Sequence, residues 1–155
     1  LWENIGHTDL DEVIGFSSEG GESEVKGTLQ NRKLRTKRST QTDKMRINLQ
    51  QFDQAGLKLF YGSNSEVNAT TGAVRKPDSP EPTRKAFLAV FYDGANALYD
   101  YCPLVEIIGG DAMELADAEE FASLPLDLTP LNYLTNKWAR ETSPVFVLAD
   151  GPDGP

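Results

Sequence analysis

The sequence predicts a mainly β subunit, a β-sandwich or barrel with one flanking α-helix, on three observations. Roughly six to eight short runs have strand character, and turn residues separate them at regular spacing. One stretch has the apolar spacing and the end signals of a helix. The 155 residues are enough for one domain with a sizeable core. We divide the chain into an N-terminal arm at 1–12, a β-sandwich domain at 13–149 and a C-terminal tail at 150–155.

Composition narrows the class of protein. The longest apolar run covers residues 86–92, far short of the roughly 18 residues that a transmembrane helix needs. We therefore expect no membrane partner. Cys102 is the one cysteine of the chain, which excludes an internal disulfide and a thiolate metal cluster and favours a packed core thiol.

The first elements are short and polar. Two apolar anchors, Trp2 and Ile5, mark the arm, which we interpret as a segment that docks elsewhere, another subunit being one option. Turn-forming residues and extended patterning then predict three successive runs. They lie at residues 12–18, 22–29 and 34–40.

A half-buried strand is predicted next. Met45, Ile47 and Leu49 alternate with polar residues between positions 44 and 50. Because side chains of a strand point alternately to its two faces, this period of two places the three apolar residues on one face.

The helix has the firmest local signals. Asp53 is a predicted N-cap, because its carboxylate can accept the free backbone N–H groups of the first turn. Leu57, Phe60 and Tyr61 give one apolar face at helical spacing. Gly62 stands where a left-handed C-terminal cap is expected.

A long loop and an apolar hairpin follow. Residues 63–82 carry three prolines and no periodicity, which indicates either a functional or mobile loop or a plain surface excursion. The strongest strand is at 84–92, with Asp93-Gly94 as its hairpin turn and a return strand at 97–101 that continues through 104–108. Both strands are apolar on both faces, as expected of a central strand or of a strand at a subunit interface.

The last third of the chain is less regular. The acidic segment at 111–121 is compatible with a short helix or with a strand followed by a turn. Pro125 and Pro130 bracket an extended piece at 126–128 and predict an edge strand, because proline cannot donate to a sheet ladder. Residues 143–149 are the last candidate strand.

Charge is distributed unevenly. The net charge is −9, yet seven Lys and Arg residues stand between positions 32 and 46 against one acid, which leaves +6 there and −15 elsewhere. A nucleic-acid binder is normally basic overall. Two interpretations of the basic run stay open: a solvated strand face, or a positive patch that pairs with negative patches on identical neighbours. Head-to-tail contacts of the second kind generate rings or open filaments.

The second interpretation defines two sets of candidate contact residues. The candidate contacts between subunits are Trp2, Arg32, Lys33, Arg35, Lys37, Arg38, Lys44 and Arg46. The candidate acidic partners are Asp111, Glu114, Asp117, Glu119 and Glu120.

We find no arrangement of residues in the sequence that indicates a catalytic site. His7 is the single histidine and lies in the arm, where nothing indicates the rigid pocket that a Ser–His or Cys–His pair requires. A glycine-rich phosphate loop is absent from the sequence. The carboxylates at 111–120 could hold Ca²⁺, but their spacing does not match an EF-hand loop and favours a solvated acidic face. We predict no enzyme activity, no cofactor and no metal site.

Two blocks of the sequence resemble a known family. Residues 27–62, a basic extended segment that leads into a strand and a capped helix ending in Tyr-Gly, resemble the central block of major tail tube proteins from long, non-contractile-tailed phages. Residues 84–128, an apolar hairpin before an acidic stretch and a Leu-Pro-Leu strand, also look like theirs. The order of elements carries the resemblance, which covers roughly residues 22–131.

The resemblance implies a fold, an assembly and partners. It implies a β-sandwich with a flanking helix, six copies in a ring, and stacked rings that form the tube conducting genomic DNA. The sheets of neighbouring subunits would join into a continuous barrel that lines the channel. The implied partners are other copies of this chain, the tape measure protein and the tail-end proteins, with DNA passing through without specific binding. The implied location is the phage tail of the virion, after assembly in the host cytoplasm.

An acidic chain suits such a conduit. Lumenal carboxylates repel phosphate within a screening length of about 8 Å at physiological salt. The acidic set would then face a partner or the lumen, and the basic set would serve contacts between subunits or rings. Two alternatives stay open: a carbohydrate-binding β-sandwich module that stacks sugars on Trp2, Trp138 or tyrosines, and a secretion-system tube protein of the same fold.

Overall fold

A computed structural model describes residues 2–6, 14–26, 35–93, 96–113, 123–135 and 138–144. Within these ranges the protein is mainly β, with ten strands and one helix. The elements in chain order are β1 (Gly15–Gly20), β2 (Ser23–Lys26), β3 (Arg35–Arg38), β4 (Gln41–Leu49), α1 (Gln54–Tyr61), β5 (Glu66–Val67), β6 (Val74–Arg75), β7 (Thr83–Asp93), β8 (Asn96–Gly109), β9 (Leu124–Pro130) and β10 (Glu141–Ser143). The one helix in the described ranges is too short to cross a membrane.

The chain forms two compact units. The first, unit 1, is Leu1–Thr83 with Ile107–Thr129, and the second, unit 2, is Arg84–Glu106 with Pro130–Pro155. The predicted fold class, a mainly β subunit with one helix beside an antiparallel sheet, is confirmed for the described residues. The predicted division into an arm, a single β domain and a tail stays a prediction.

The core of unit 1 includes one face of two neighbouring strands, β4 and β9. Antiparallel pairing of β4 with β9 sets six apolar side chains opposite one another on one face, and each is 2% exposed or less. The pairs are Met45 with Leu128, Ile47 with Leu126 and Leu49 with Leu124. The alternation in β4 follows from the pleat of a strand, and the predicted half-buried strand is confirmed.

The position of β9 corrects one prediction. This strand is not an edge strand, because it lies between β4 and β8 in the strand order β1-β4-β9-β8. Pro125 is tolerated there because its carbonyl accepts a hydrogen bond from the N–H of Gly110, just beyond the end of β8. The N and O atoms of a strand residue point to the same side. The missing N–H of Pro125 therefore faces a place where the neighbouring strand has already ended.

Helix α1 begins and ends where the sequence predicts, but Gly62 has a ψ of 168° and so does not adopt the left-handed helical conformation expected of the cap. The carboxylate of Asp53 accepts a hydrogen bond from the N–H of Gly56 at 2.6 Å, which is N-capping. Gly62 has a φ of 102° and donates its N–H to the carbonyl of Lys58. A Cβ atom at Gly62 would lie 2.5 Å from the carbonyl oxygen of Glu81, so both the dihedral angle and the close approach require glycine.

The end of β8 packs closely against the helix within unit 1. A Cβ atom at Gly109 would lie 2.7 Å from the carbonyl oxygen of Phe60 and 2.8 Å from its ring. A Cβ atom at Gly110 would meet the carboxylate of Asp127 at 2.7 Å. The glycine pair that ends the apolar run in the sequence is thus the place where backbone meets both the helix and β9.

The loop predicted at 63–82 is held by asparagine side chains. The Asn68 side chain accepts hydrogen bonds from the N–H groups of Thr70 and Thr71, which closes the turn between β5 and β6. Asn64 donates to the carbonyl of Ser79 and accepts from the N–H of Glu81. These local bonds replace the hydrophobic periodicity that the segment lacks.

Unit 2 consists of strands that pair with β8. Both β7 and β10 are its partners, which confirms the predicted strand and its long return strand past Pro103. The predicted turn lies outside the described residues at Gly94. Among the described residues of unit 2, the buried apolar side chains are Phe87, Ala89, Cys102 and Val105. Burial of the Cys102 thiol agrees with the predicted core role.

One face of the β7–β8 hairpin stays exposed. Val90 and Tyr92, which alternate with the buried Ala89 and Phe87 along β7, are among the exposed large apolar residues, and the Tyr92 side chain is 77% exposed. The expectation that apolar residues on both faces are covered is therefore met on one face of this chain alone. The alternative that the sequence offered, a strand at a subunit interface, stays a prediction.

Candidate assembly surfaces

A long two-stranded ribbon carries most of the predicted contact residues. The pairing of β1 with β4 extends to Gly20 opposite Gln41, and the pairing of β2 with β3 resumes at Ser23 opposite Arg38. Between them the N–H of Ser39 donates to the carbonyl of Glu22 at 2.9 Å. We call this continuous antiparallel hairpin, residues 15–26 with 35–49, the ribbon.

A glycine bend divides the ribbon. Gly20 and Gly21 have φ values of 88° and 74°, a region that side chains with a Cβ atom rarely adopt. A Cβ atom at Gly20 would also collide with the carbonyl oxygen of Thr40. Beyond this bend, every described residue of β2 is exposed, including Val25. The outer half of the ribbon thus has no apolar core of its own.

The outer half of the ribbon is positive and imperfectly compensated. Lys37 lies opposite Glu24 in the register, but Lys26 lies opposite Arg35. Like charges directly opposite each other on a sheet are destabilising. Lys26 approaches Glu24 at 2.8 Å instead.

Three of the predicted basic contact residues lie partly or wholly outside the described part of the chain. The side chain of Arg35 is not described, although its backbone belongs to β3. Arg32 and Lys33 lie outside the described residues. Arg38 is described, and its Nε donates to the carbonyl of Gly21 at 3.1 Å, across the bend.

The inner half of the ribbon pairs its charges within the chain. Lys44 approaches Glu19 at 3.0 Å, with both side chains exposed. Ser18 donates to the carboxylate of Asp43 and accepts from the side-chain amide of Gln41. Such exposed pairs contribute about 0 to 1 kcal/mol each, so they fix the register more than they stabilise the fold.

Arg46 joins the basic set to the acidic set in one chain. Its Nε donates to Asp127 at 2.8 Å, directly across the β4–β9 pairing, and its Nη1 donates to Asp111 at 2.6 Å. The hydrogen bond and the charge of Asp127, followed by those of Asp111, raise the pKa of Arg46 above its ordinary value. A predicted contact residue and a predicted acidic partner therefore meet within unit 1, which reduces what either can offer a neighbour.

The remaining predicted residues are placed as follows. Trp2 is 57% exposed. Further along the arm, Gly6 donates to the side chain of Asn4 and comes close to Gln51. The predicted acidic partners other than Asp111 lie outside the described residues. They are Glu114, Asp117, Glu119 and Glu120.

A buried ion pair in unit 2 was not anticipated from the sequence. The Asp100 side chain is 1% exposed, and both its oxygens accept from the Nε of Arg140, at 2.7 and 3.0 Å. The Thr142 hydroxyl donates to the same carboxylate at 3.0 Å. A carboxylate inside the apolar run Tyr-Asp-Tyr-Cys is the signal that could have revealed it, because a buried charge requires a partner.

A shallow groove of about 570 Å³ lies in unit 1 beside the end of the helix. Its lining includes Phe60, Tyr61, Ile108 and Met113, with Lys76 and Asp111 as the charged members. Across the part of the chain that the structure describes, no three His, Cys, Asp or Glu side chains are grouped closely enough to hold a metal ion.

Comparisons with known proteins agree on one family. A family model described as "Phage tail tube protein" matches residues 1–144. The major tail protein Gp23 of Mycobacterium phage L5 is 33% identical over 157 residues, covering 99% of this chain and 76% of that protein. The major tail protein Gp23 of Mycobacterium phage D29 is 34% identical over 154 residues, covering 97% of this chain and 75% of that protein.

Proposed function

From the premise that the chain belongs to the phage tail tube protein family, we propose that it assembles with copies of itself into stacked hexameric rings that conduct genomic DNA. In this proposal the resulting tube is the passage for DNA ejection into the host. The other partners are the tape measure protein and the tail-end proteins of the virion, and assembly takes place in the host cytoplasm.

The ribbon is the observation that carries this proposal. An isolated two-stranded hairpin is marginally stable in water, because it has no third strand or helix to cover a face. The outer half of the ribbon, β2 with β3, is in that position, with all four residues of β2 exposed. A second copy that covers this half would supply the missing contacts. We assign the ribbon to contacts between subunits or between rings.

The β7–β8 hairpin supports a second contact. Among the described strands the 11-residue β7 has one partner, β8, so its other edge is unpaired within the part of the chain that the structure describes. Long open edges invite pairing with another chain. A strand of a neighbouring copy along this edge would also cover Val90 and Tyr92. Repeated around a ring, such pairing joins the sheets into one continuous barrel.

Charge complementarity would orient these contacts. The side chains of Arg46 and Asp111 pair within one chain. Contacts between copies would therefore draw on Lys37 and Arg38 of the ribbon. They would also use Arg32, Lys33 and Arg35 on the basic side, and Glu114, Asp117, Glu119 and Glu120 on the acidic side or in the lumen. Each exposed pair is weak, about 0 to 1 kcal/mol, so assembly needs many repeats together with apolar contacts.

Electron microscopy of the purified protein tests this function. We expect rings or hollow filaments with a regular axial repeat. In sedimentation experiments, we expect the sedimentation coefficient to rise with protein concentration. A stable monomer at every concentration would contradict the proposal. A stable monomer that also bound an immobilised glycan in a saturable way would instead support the carbohydrate-binding alternative.

A further inference from the structure

The bend of the ribbon interrupts two paired strands without changing their register. The inner half ends at the pair of Gly20 with Gln41, and the outer half begins at the pair of Ser23 with Arg38. The same number of residues separates these pairs on each of the two strands, whereas a β-bulge would place an extra residue on one of them. The bend therefore arises from backbone dihedral angles and not from an inserted residue.

Two consecutive glycines supply those angles. Gly20 has a φ of 88° and Gly21 a φ of 74°, whereas an antiparallel strand has a φ of about −140°. Residues with a Cβ atom rarely adopt a positive φ, and for β-branched residues such as valine it is an outlier. At Gly20 a Cβ atom would also collide with the carbonyl oxygen of Thr40. The bend is thus a conformation that the two glycines make available to the chain.

Hydrogen bonds across the bend hold this conformation. The Nε of Arg38 donates to the carbonyl of Gly21 at 3.1 Å. The N–H of Ser39 donates to the carbonyl of Glu22 at 2.9 Å, and the Ser39 hydroxyl donates to the same oxygen at 3.4 Å. These bonds tie the bent strand to its partner strand and favour one angle between the two halves of the ribbon.

The outer half of the ribbon has no part in the buried core. Every described side chain from 22 to 26 and from 36 to 40 is exposed. The inner half, by contrast, carries Met45, Ile47 and Leu49 of β4, which are buried. Because burial anchors the inner half alone, the direction of the outer half depends on the bend that connects the two.

A small change of angle at the bend has a large effect further out. The four residues of β2 extend about 13 Å beyond the bend, at about 3.3 Å per residue. A change of roughly 30° would therefore move the end of β2 by about 7 Å. Hydrogen bonds and ion pairs form only at donor–acceptor distances of about 3 to 4 Å. A displacement of this size would break any polar contact that the outer half makes.

We propose that Gly20 and Gly21 are positioning residues for assembly, because the bend sets the direction in which the outer half of the ribbon leaves the subunit. This inference rests on the proposed function, in which the ribbon makes contacts between copies. In a symmetric assembly every copy makes the same contact through the same symmetry operation. Each copy must then present the ribbon at the same angle, and a backbone conformation that favours glycine provides that angle.

A matched pair of variants at Gly21 tests the proposal. The atoms nearest to a new Cβ there belong to the flexible side chain of Gln41, the closest at 3.4 Å, so a side chain fits. Asparagine adopts a positive φ far more readily than most residues, whereas valine favours an ordinary strand. We expect Gly21→Asn to keep the bend and to assemble at nearly the wild-type rate. We expect Gly21→Val to lose the bend and to assemble much more slowly or not at all.

Two measurements distinguish the angle of the ribbon from its effect on assembly. Backbone chemical shifts of residues 19–23 and 38–42 report the dihedral angles in the free subunit, and light scattering reports the rate of assembly. Gly72→Val is the control, since Gly72 has a φ of 72° in the turn between β5 and β6, outside the ribbon. Valine imposes a similar backbone strain at both positions. Equal slowing of the two valine variants would therefore contradict the proposal.

Other outcomes separate this inference from the proposed function. Assembly of Gly21→Val at the wild-type rate, or equal impairment by asparagine and valine, would overturn the role of the bend and leave the tube intact. Failure of the wild type to assemble under any condition would overturn the proposed function and the role of the bend with it.

A second pair of variants keeps the test open if Gly21→Val does not fold. Gly20→Ala introduces the collision with Thr40, whereas the nearest atom to a new Cβ in Gly72→Ala is 4.0 Å away. Both positions have a positive φ, so the cost of alanine in that region is shared. We expect slower assembly of Gly20→Ala alone. Equal rates for the two alanine variants would overturn the proposal.

Discussion

At the scale of single residues, Arg46 shows how position decides what a charge can do. Its guanidinium reaches Asp127 across the strand pair and Asp111 beyond the end of β8, so its charge is already balanced. Its side chain is nevertheless 44% exposed, and solvent screens such pairs. Because the pKa of Arg46 is raised in the folded protein, the stabilisation that its ion pairs supply is fully present at any pH below the unfolded-state pKa. This stabilisation is lost only as the pH rises through the higher folded-state pKa.

We therefore predict a small and pH-independent effect of Arg46→Gln near neutrality. Urea unfolding should show a loss of about 0 to 1 kcal/mol, equal at pH 6 and pH 9, because arginine keeps its charge throughout that range. Arg75→Gln is the matched control, since Arg75 approaches Glu66 at 3.9 Å with both side chains well exposed. A loss several times larger than that of the control at pH 9 alone would contradict this account.

Gly109 illustrates a different residue-scale constraint, namely space. We predict that Gly109→Ala destabilises the protein by about 1 to 3 kcal/mol, because a Cβ atom there would overlap the carbonyl oxygen and ring of Phe60. Gly15→Ala is the control in another strand, where the nearest atom to a new Cβ is 3.9 Å away. Thermal unfolding of both variants distinguishes a steric effect from the general effect of alanine in a strand. Equal melting temperatures would show that the helix moves aside without cost.

At the scale of elements, the helix is specified by its own ends. We predict that Asp53→Ala lowers the free energy of unfolding by about 1 kcal/mol, because the N–H of Gly56 loses its acceptor. Asp53→Asn should lose much less, since asparagine is also a good N-cap. Chemical denaturation of the two variants is the measurement. Equal losses for asparagine and alanine would mean that the charge of Asp53, not its capping hydrogen bond, matters.

The ribbon makes a prediction about assembly at the same scale. Arg35→Glu with Arg38→Glu should weaken polymerisation at low salt, because it reverses charge on the outer strand β3. Lys58→Glu with Arg75→Glu changes the net charge equally, on the helix and on β6. Light scattering of both variants compares their rates. Assembly of the ribbon variant as fast as that of the wild type would remove the electrostatic part of the proposal.

Local elements were predictable from the sequence, whereas the partners of each element were not. The alternation around Ile47, the N-cap at Asp53 and the end of the helix at Gly62 are signals within one segment, and the structure confirms them. Pro125 suggested an edge strand because the sequence does not reveal that β8 ends opposite it. The contact of Arg46 with Asp111 joins residues 65 positions apart, which no local pattern encodes.

At the scale of the whole molecule, the excess of acid has a functional consequence. The chain has 24 Asp and Glu residues against 15 Lys and Arg residues, so its net charge of −9 is an excess of carboxylates that no basic residue of the same subunit offsets. In the tube that we propose, many copies would multiply that excess, and a polyanion in the channel would be repelled within a screening length of about 8 Å. Such repulsion favours passage over retention.

We therefore predict that assembled filaments do not retain DNA. Filaments mixed with linear double-stranded DNA at low salt and pelleted should leave the DNA in the supernatant, because few unpaired cations are available to release counterions from phosphate. Polylysine serves as the positive control, since it binds DNA under the same conditions. Co-sedimentation of DNA that weakened as salt rose would show that exposed basic residues, such as those of the ribbon, bind phosphate rather than acidic groups of another copy.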